Sequence, residues 1–261
     1  MLLAAAVPLL ALAFAPSSSA GGDPVPAKNG HYVGVGDDQF RVSFFAHQRT
    51  VEDLYRTFPF PPGAPSQCSS GGKLAGTDDV NDQGRFRIDQ SGADTEDSAR
   101  GRFAAPTRVT GRYLYENSAI CPGAYEYPYK ARKFGPQGAQ TTKAPAAAKR
   151  GTGSPRNGEY AGGGATAAVW FNVVGGEVQS GSVRGLFPAC DSAFFVHDSD
   201  APSSRGRFAI EHAFGGDTVK IKGRFTSNKR AQGKAVWDQG DACPAGIHKF
   251  DYNARRFGPV G

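Results

Sequence analysis

The chain has 261 residues, length enough for two domains of about 100 residues each, and a formal net charge of +6. Glycine (35) and proline (18) are plentiful, Phe and Tyr are frequent and there is one methionine, which excludes a long-helix protein and indicates an ordered, β-leaning chain with many loops. Beyond the first twenty residues no apolar stretch approaches membrane length, so no transmembrane segment is expected in the mature chain.

The first segment, MLLAAAVPLLALAFAPSSSA, is an apolar run followed by small residues, with Ser18 and Ala20 placed before a cleavage point after Ala20. It has the character of a secretory signal peptide over 1–20, although no Lys or Arg stands near Met1. Its apolar core is short for a membrane span and it has no polar face, so it is set aside from the fold. Residues 21–28 form a short N-terminal linker. The predicted localisation is secreted, extracellular or at the cell envelope.

From Asn29 onward the chain is written twice. Gly84-Arg85-Phe86 recurs as Gly206-Arg207-Phe208 and Gly101-Arg102-Phe103 as Gly223-Arg224-Phe225, each 122 residues on. The same offset separates Cys68 from Cys190 and Cys121 from Cys243. The openings NGHYVG at Asn29 and NGEYAG at Asn157 are 128 apart, and the endings YKARKFGP and YNARRFGP are offset by 123. Insertions have thus collected in loop-like segments. A period this long indicates domain duplication, since solenoid repeats run about 20–50 residues. The predicted domains are 29–136 and 157–261. Between them, 137–156 is an Ala/Gly/Pro-rich basic linker with no large apolar residue.

Strand-like alternation is predicted at Phe40–Ala46 and Trp170–Val174, and at Val51–Phe58 and Val178–Phe187. It recurs at Arg85–Ile88 and Arg207–Ile210, then in the hairpin-like pair Val219–Phe225 and Ala235–Trp237. In the last strand Tyr125, Tyr127, Tyr129 and Ala131 share one face, as do His248, Phe250, Tyr252 and Ala254. Short strands punctuated by Gly, Asn, Asp and Pro predict an all-β protein of two tandem antiparallel β-sandwich or small β-barrel domains.

Four cysteines, each pair separated by 53 residues, in a chain with an export signal predict one disulfide per domain, Cys68–Cys121 and Cys190–Cys243. Each would close a loop worth about 4 kcal/mol in the chain-entropy account. Zinc would need accompanying CxxC or His spacings, and redox catalysis a close pair; neither is present.

The charge is unevenly placed. The first domain carries 13 Lys+Arg against 13 Asp+Glu, the second 12 against 10, and the linker four cations (Lys143, Lys149, Arg150 and Arg156) and no acid. Most of the positive charge therefore sits on the tether, which argues against a nucleic-acid partner.

No residue is assigned a catalytic, cofactor-binding or metal-ligating role, and no cofactor is expected. In DDVNDQG, Asp79, Asn81, Gln83 and Gly84 fall at the first, third, fifth and sixth places of a calcium loop, but the twelfth is Gln90 where a Glu is needed. A turn between strands is the better reading. The acidic run Asp89, Asp94, Glu96 and Asp97 reads as a solvated loop. His31, His47, His197, His212 and His248 each align with a different residue in the other copy; His31 aligns with Glu159. The arginines of the GRF phrases (Arg85, Arg102, Arg207, Arg224) could form a polyanion-binding ladder. Alternation of Arg and Phe is nonetheless what any half-buried strand requires, and that structural reading is preferred.

The NGxYxG openings, an F-x-V strand, a mid-domain cysteine, twin GRF phrases and a terminal C…Y-x-A-R-[KR]-F resemble a domain of exported proteins of actinobacteria and related bacteria. That domain occurs singly or in tandem and has no assigned activity. The resemblance covers both repeats and neither the linker nor the signal, and it implies the fold and the compartment without any catalytic residue. The expectation is an exported, non-enzymatic, monomeric binding protein whose partner is an envelope glycan or an extracellular protein. A secreted hydrolase, with its site in one domain or at the domain interface, is the alternative.

Overall fold

In a computed structural model the described residues are 27–58, 70–92, 95–117, 123–135, 154–164, 167–187, 190–239 and 246–259. Residues 1–20, most of both linkers, Cys68, Cys121, Cys243 and Asp94 lie outside them, and Cys190 is placed by its backbone alone. The predicted disulfides therefore fall outside the described residues.

The first half contains β1 (Gly30–Gly36), β2 (Arg41–His47), β3 (Thr50–Phe58), β4 (Ser70–Lys73), β5 (Thr77–Asp79), β6 (Arg85–Ser91), β7 (Thr95–Ala105), β8 (Arg108–Asn117) and β9 (Ala124–Gly135). The second contains β10 (Gly158–Gly163), β11 (Ala167–Val174), β12 (Glu177–Phe187), β13 (Cys190–Asp200), β14 (Arg207–Phe214), β15 (Asp217–Ser227), β16 (Arg230–Gln239) and β17 (Gly246–Gly258). Each half is one antiparallel meander whose first and last strands pair. The orders are β4-β3-β2-β1-β9-β8-β7-β6, with β5 also on β3, and β13-β12-β11-β10-β17-β16-β15-β14. The all-β class predicted from the sequence is correct, and the architecture is a half-barrel followed by a nearly closed barrel.

The repeated phrases account for this closure. Tyr32 and Tyr160 of NGxYxG point inward and stack on Phe44 and Phe171, both at 5.2 Å, and meet Phe103 and Phe225 edge-on, both at 5.5 Å. Their hydroxyls lie within 3.0 Å of the carbonyls of Lys28 and Pro106, or of Arg156 and Asn228, tying the entering chain to the barrel end. Asn29 and Asn157 accept the amides of Gln48 and Gly176 in the next hairpin turn. A Cβ on Gly34 would lie 2.3 Å from the Lys130 carbonyl oxygen, and one on Gly162 1.9 Å from that of Asn253. Glycine there is what lets the first and last strands approach.

The seam between β5 and β6, or β13 and β14, is held differently. A repeated aspartate accepts a backbone amide from the opposite strand: Asp78 from Arg87, and Asp200 from Ala209. Asp198 adds a second such bond to Glu211, at 2.9 Å. These carboxylates satisfy amides that an open sheet edge would leave unpaired.

One sequence expectation is corrected inside the first half. The acidic run Asp89, Asp94, Glu96, Asp97 is not a solvated loop: Asp89 lies in β6, and Glu96 and Asp97 in β7. Asp97 is buried and closes a triangle with Arg56 and Tyr113, all three contacts at 2.7 Å. The periodicity is hidden because an inward-facing position is occupied by a charge. Burial and the neighbouring carboxylate raise the Tyr113 hydroxyl above its ordinary pKa. By strand register the second half carries Val183, Val219 and Ala235 in these places, all of them buried.

The two halves dock through the outer faces of β1, β2, β10 and β11, which are buried on both sides along nearly their whole length. Val33, Val35, Ala161, Ala168 and Trp170 form the apolar centre, with Phe134 and Phe257 packed against it. Two reciprocal bonds flank it: Arg41 donates to Ser182 at 2.7 Å and Arg184 to Ser43 at 2.5 Å. Trp170 donates its indole N–H to the Gly34 carbonyl at 2.9 Å. His31 donates from Nδ1 to the Gly164 carbonyl at 3.0 Å, and its Nε2 is buried without a partner. The strands predicted as half-buried alternating ribbons are thus doubly covered, because the partner half supplies the second layer.

Two positions that the repeat aligns, His31 and Glu159, are both buried in this junction with opposite consequences. Burial lowers His31 to about 4, against the Gly164 hydrogen bond. Burial raises Glu159 to about 7, against the attraction of Arg41. Neutral His31 therefore contributes stability that is present above the ordinary histidine pKa and lost as pH falls toward 4. Glu159 contributes stability that is present below its ordinary pKa and lost as pH rises toward 7. The two slopes oppose each other between those limits. In urea unfolding at stepped pH, Glu159→Gln should become steadily less stable as pH falls from 6.5 to 4, and His31→Gln less stable as pH rises from 4.5 to 7. A variant whose slope has the other sign would contradict this assignment.

For the buried triangle, Asp97→Ala leaves Arg56 without its counter-charge and should cost about 3–5 kcal/mol in urea unfolding. The triple variant R56M/D97V/Y113F, which makes the site apolar as in the second half, should cost less than the single substitution. A triple variant weaker than Asp97→Ala would show that the triangle is a net source of stability.

Candidate functional site

The hairpin strands β6, β7 and β8 turn their polar side outward, and there arginine recurs at successive cross-strand positions. Register sets Arg85 opposite Arg102, Arg87 opposite Arg100, and Arg100 opposite Arg112. The five side chains are exposed and line an open groove of about 660 Å³, together with Asp78, Asp79, Asn81 and Thr110.

Two of the five are paired at the margin: Arg87 with Asp89 at 2.6 Å, and Arg112 with Glu126 at 2.6 Å. The Asp89 hydrogen bond and charge raise the Arg87 pKa further. Arg85, Arg100 and Arg102 have no carboxylate partner among the described residues. Asp78 and Asp79 are already engaged, with the Arg87 amide and the Thr50 hydroxyl.

The same row stands in the second half. At the 122-residue offset Arg85, Arg100, Arg102 and Arg112 correspond to Arg207, Lys222, Arg224 and Lys234; only Arg87 has a neutral counterpart, Ala209. Arg207 faces Arg224 and Lys222 faces Lys234, repeating the like-charge pairing. Lys234 reaches Asp251 at 3.6 Å, and Arg224 Nε is buried without a hydrogen-bond partner. Like charges directly opposite each other destabilise a sheet. Strand alternation asks only for polar residues there, and Thr or Ser would satisfy it without repulsion.

Phe86, Phe103, Phe208 and Phe225 of the GRF phrases are buried, as the structural reading expects, and the arginines beside them face one another across paired strands. Their glycines also differ in role. Gly84 and Gly206 adopt positive φ (74° and 69°) in a turn, whereas a Cβ on Gly101 or Gly223 would lie within 2.4 Å of the Phe86 or Phe208 ring. Arg100 and Arg112, with their counterparts Lys222 and Lys234, were missed in the sequence. The 122-residue offset contains that signal, but only strand pairing puts these positions side by side.

The former calcium-loop residues are a turn: Asn81 Oδ1 accepts the amides of Gln83 at 3.0 Å and Arg85 at 2.9 Å, and Gln90 caps the Ala75 amide. Of the histidines, His197 and His212 meet across the β13–β14 seam with ring centroids 5.6 Å apart, while His31 belongs to the junction. The four cysteines add nothing describable to the site.

No protein-family model and no curated protein matches the chain. Among solved structures, it is similar to the crystal structure of a protein with unknown function of the DUF3598 family from Nostoc punctiforme. The identity is 8%, the match covers 89% of this chain and 96% of that one, and the TM-score is 0.21. A likeness at that level carries no argument about activity, so the functional reading rests on the site itself.

Proposed function

We propose that this protein is an exported, non-enzymatic binding module of the cell envelope or extracellular space, and that its arginine faces take an acidic glycan. The observation that carries this reading is the cationic row itself, written twice at equal positions despite its repulsive cross-strand pairs. Guanidinium groups recognise carboxylate and sulfate through paired donors. Neighbouring strands set the charges about 5 Å apart, which suits an extended polymer with repeated acidic groups. Single-stranded nucleic acid would want aromatic platforms for its bases; among the described residues lining the groove the one aromatic, Phe86, is buried. Two copies of the row on one chain would raise avidity for a polymer without strengthening either contact.

The full chain should bind immobilised polygalacturonate and a sulfated polysaccharide, and leave uncharged dextran unbound. Raising sodium chloride from 50 to 300 mM should weaken retention at least tenfold, as expected for exposed charges. R85Q/R100Q/R102Q should lose at least tenfold in affinity, while Arg205→Gln, on an exposed turn, should bind as the parent does. Equal binding by the triple variant, or equal retention on dextran, would reject the acidic-glycan reading.

A further inference from the structure

The repeated endings contain a second set of arginines, apart from the glycan face. Arg132 in β9 and Arg255 in β17 hold the same place in YKARKFGP and YNARRFGP. Register sets Arg108 directly opposite Arg132, and Arg230 directly opposite Arg255. The same cross-strand rows continue from Arg132 to Val33 and from Arg255 to Ala161, two members of the docked apolar centre. Two arginine pairs, one from each half, are therefore carried to a single junction.

Contacts across that junction confirm the approach. The equivalent rings Phe134 and Phe257 lie 6.4 Å apart, and the Arg132 guanidinium sits 5.3 Å over the Phe257 ring. Burial lowers the pKa of Arg132, and repulsion from Arg108 and Arg255 lowers it further. Arg255 is lowered in the same way, by burial and then by Arg230 and Arg108. None of the four has a carboxylate partner among the described residues. Four cations thus gather on two docked surfaces, none of them paired with a carboxylate among the described residues.

We propose that this junction is a distinct binding site for a compact, free polyvalent oxyanion, gripped from both halves by Arg132 and Arg255 with Arg108 and Arg230 behind them. Planar guanidinium donors supplied by both halves match a tetrahedral oxyanion, and the shared ligand replaces mutual repulsion with attraction. Because the site exists only when the halves are docked, ligand binding stabilises the docked arrangement. The site differs from the acidic-glycan face in place and shape: it is compact, shared by both halves, and built from other residues.

Inorganic pyrophosphate titrated calorimetrically into the full chain, at constant ionic strength in chloride, should bind at one site per chain. R132Q/R255Q should weaken that binding at least tenfold, whereas R85Q/R100Q/R102Q should leave it within twofold. Without ligand, R132Q/R255Q should unfold at or above the parent's temperature, because repulsion is removed, and pyrophosphate should raise the midpoint of the parent but not that of R132Q/R255Q. Absence of binding by the full chain, unchanged binding by R132Q/R255Q, loss confined to R85Q/R100Q/R102Q, or a ligand-free midpoint below the parent's would each overturn the site. Loss of glycan binding leaves this result untouched, so the two readings fail separately.

Discussion

The pairing of the first strand with the last, β1 with β9 and β10 with β17, is the constraint on which the rest of the molecule depends. It turns an open meander into a curved sheet with one inside and one outside. It succeeds because Gly34 and Gly162 carry no Cβ where the facing carbonyls come within about 2 Å of that position. Once the pairing is made, Tyr32 and Tyr160 are held inside and Val33 and Ala161 outside. The outer face of the same strands then becomes the docking surface between halves, so closure and docking are two sides of one ribbon.

Closure also explains why one chain can carry charge of different kinds in separate places. Facing inward, Arg56 and Asp97 must be paired, and each hydrogen-bonds the other and Tyr113. At the junction Arg41 and Arg184 are buried and donate to serines of the opposite half. Burial there pulls Arg41 down to about 10, partly offset by Glu159. Facing outward on β6–β8 and β14–β16, arginine and lysine meet no such demand and are left opposite one another. The domain total of 13 cations against 13 acids averages over these environments and conceals a basic face. Net charge per domain is therefore a poor guide to partners when a sheet sorts charges by side.

Much of the fold was legible because duplication supplied an internal control. The tyrosines of the last strand, the paired GRF phrases and the common spacings all located strands, and the bounds of β2, β3, β6 and β12 lie within a few residues of the predicted ones. What misled was a charged residue at an inward position: Asp97 broke the apolar period of β7, and the run around it read as a loop. The cationic row was half legible, since only the arginines next to a repeated phrase drew notice. His31 and Glu159, aligned by the repeat yet chemically unlike, gave no sign of sharing a junction.

By itself the sequence determined the tandem repeat, the all-β class and the alternation that sends Phe inward and Arg outward, because these depend on local spacing and on residues close in the chain. The tertiary structure decided which outward residues are exposed and which are covered, and which charges become neighbours. Pairing of strands brings together positions such as Arg85 and Arg102, 17 residues apart, and docking brings Arg132 over the ring of Phe257, 125 apart. Such encounters depend on sheet register and on the packing of one half against the other, which no local pattern encodes. The repeated ending, visible at once as text, acquires its second meaning only there: its tyrosines fill the two barrels, and its arginines and phenylalanines meet between them.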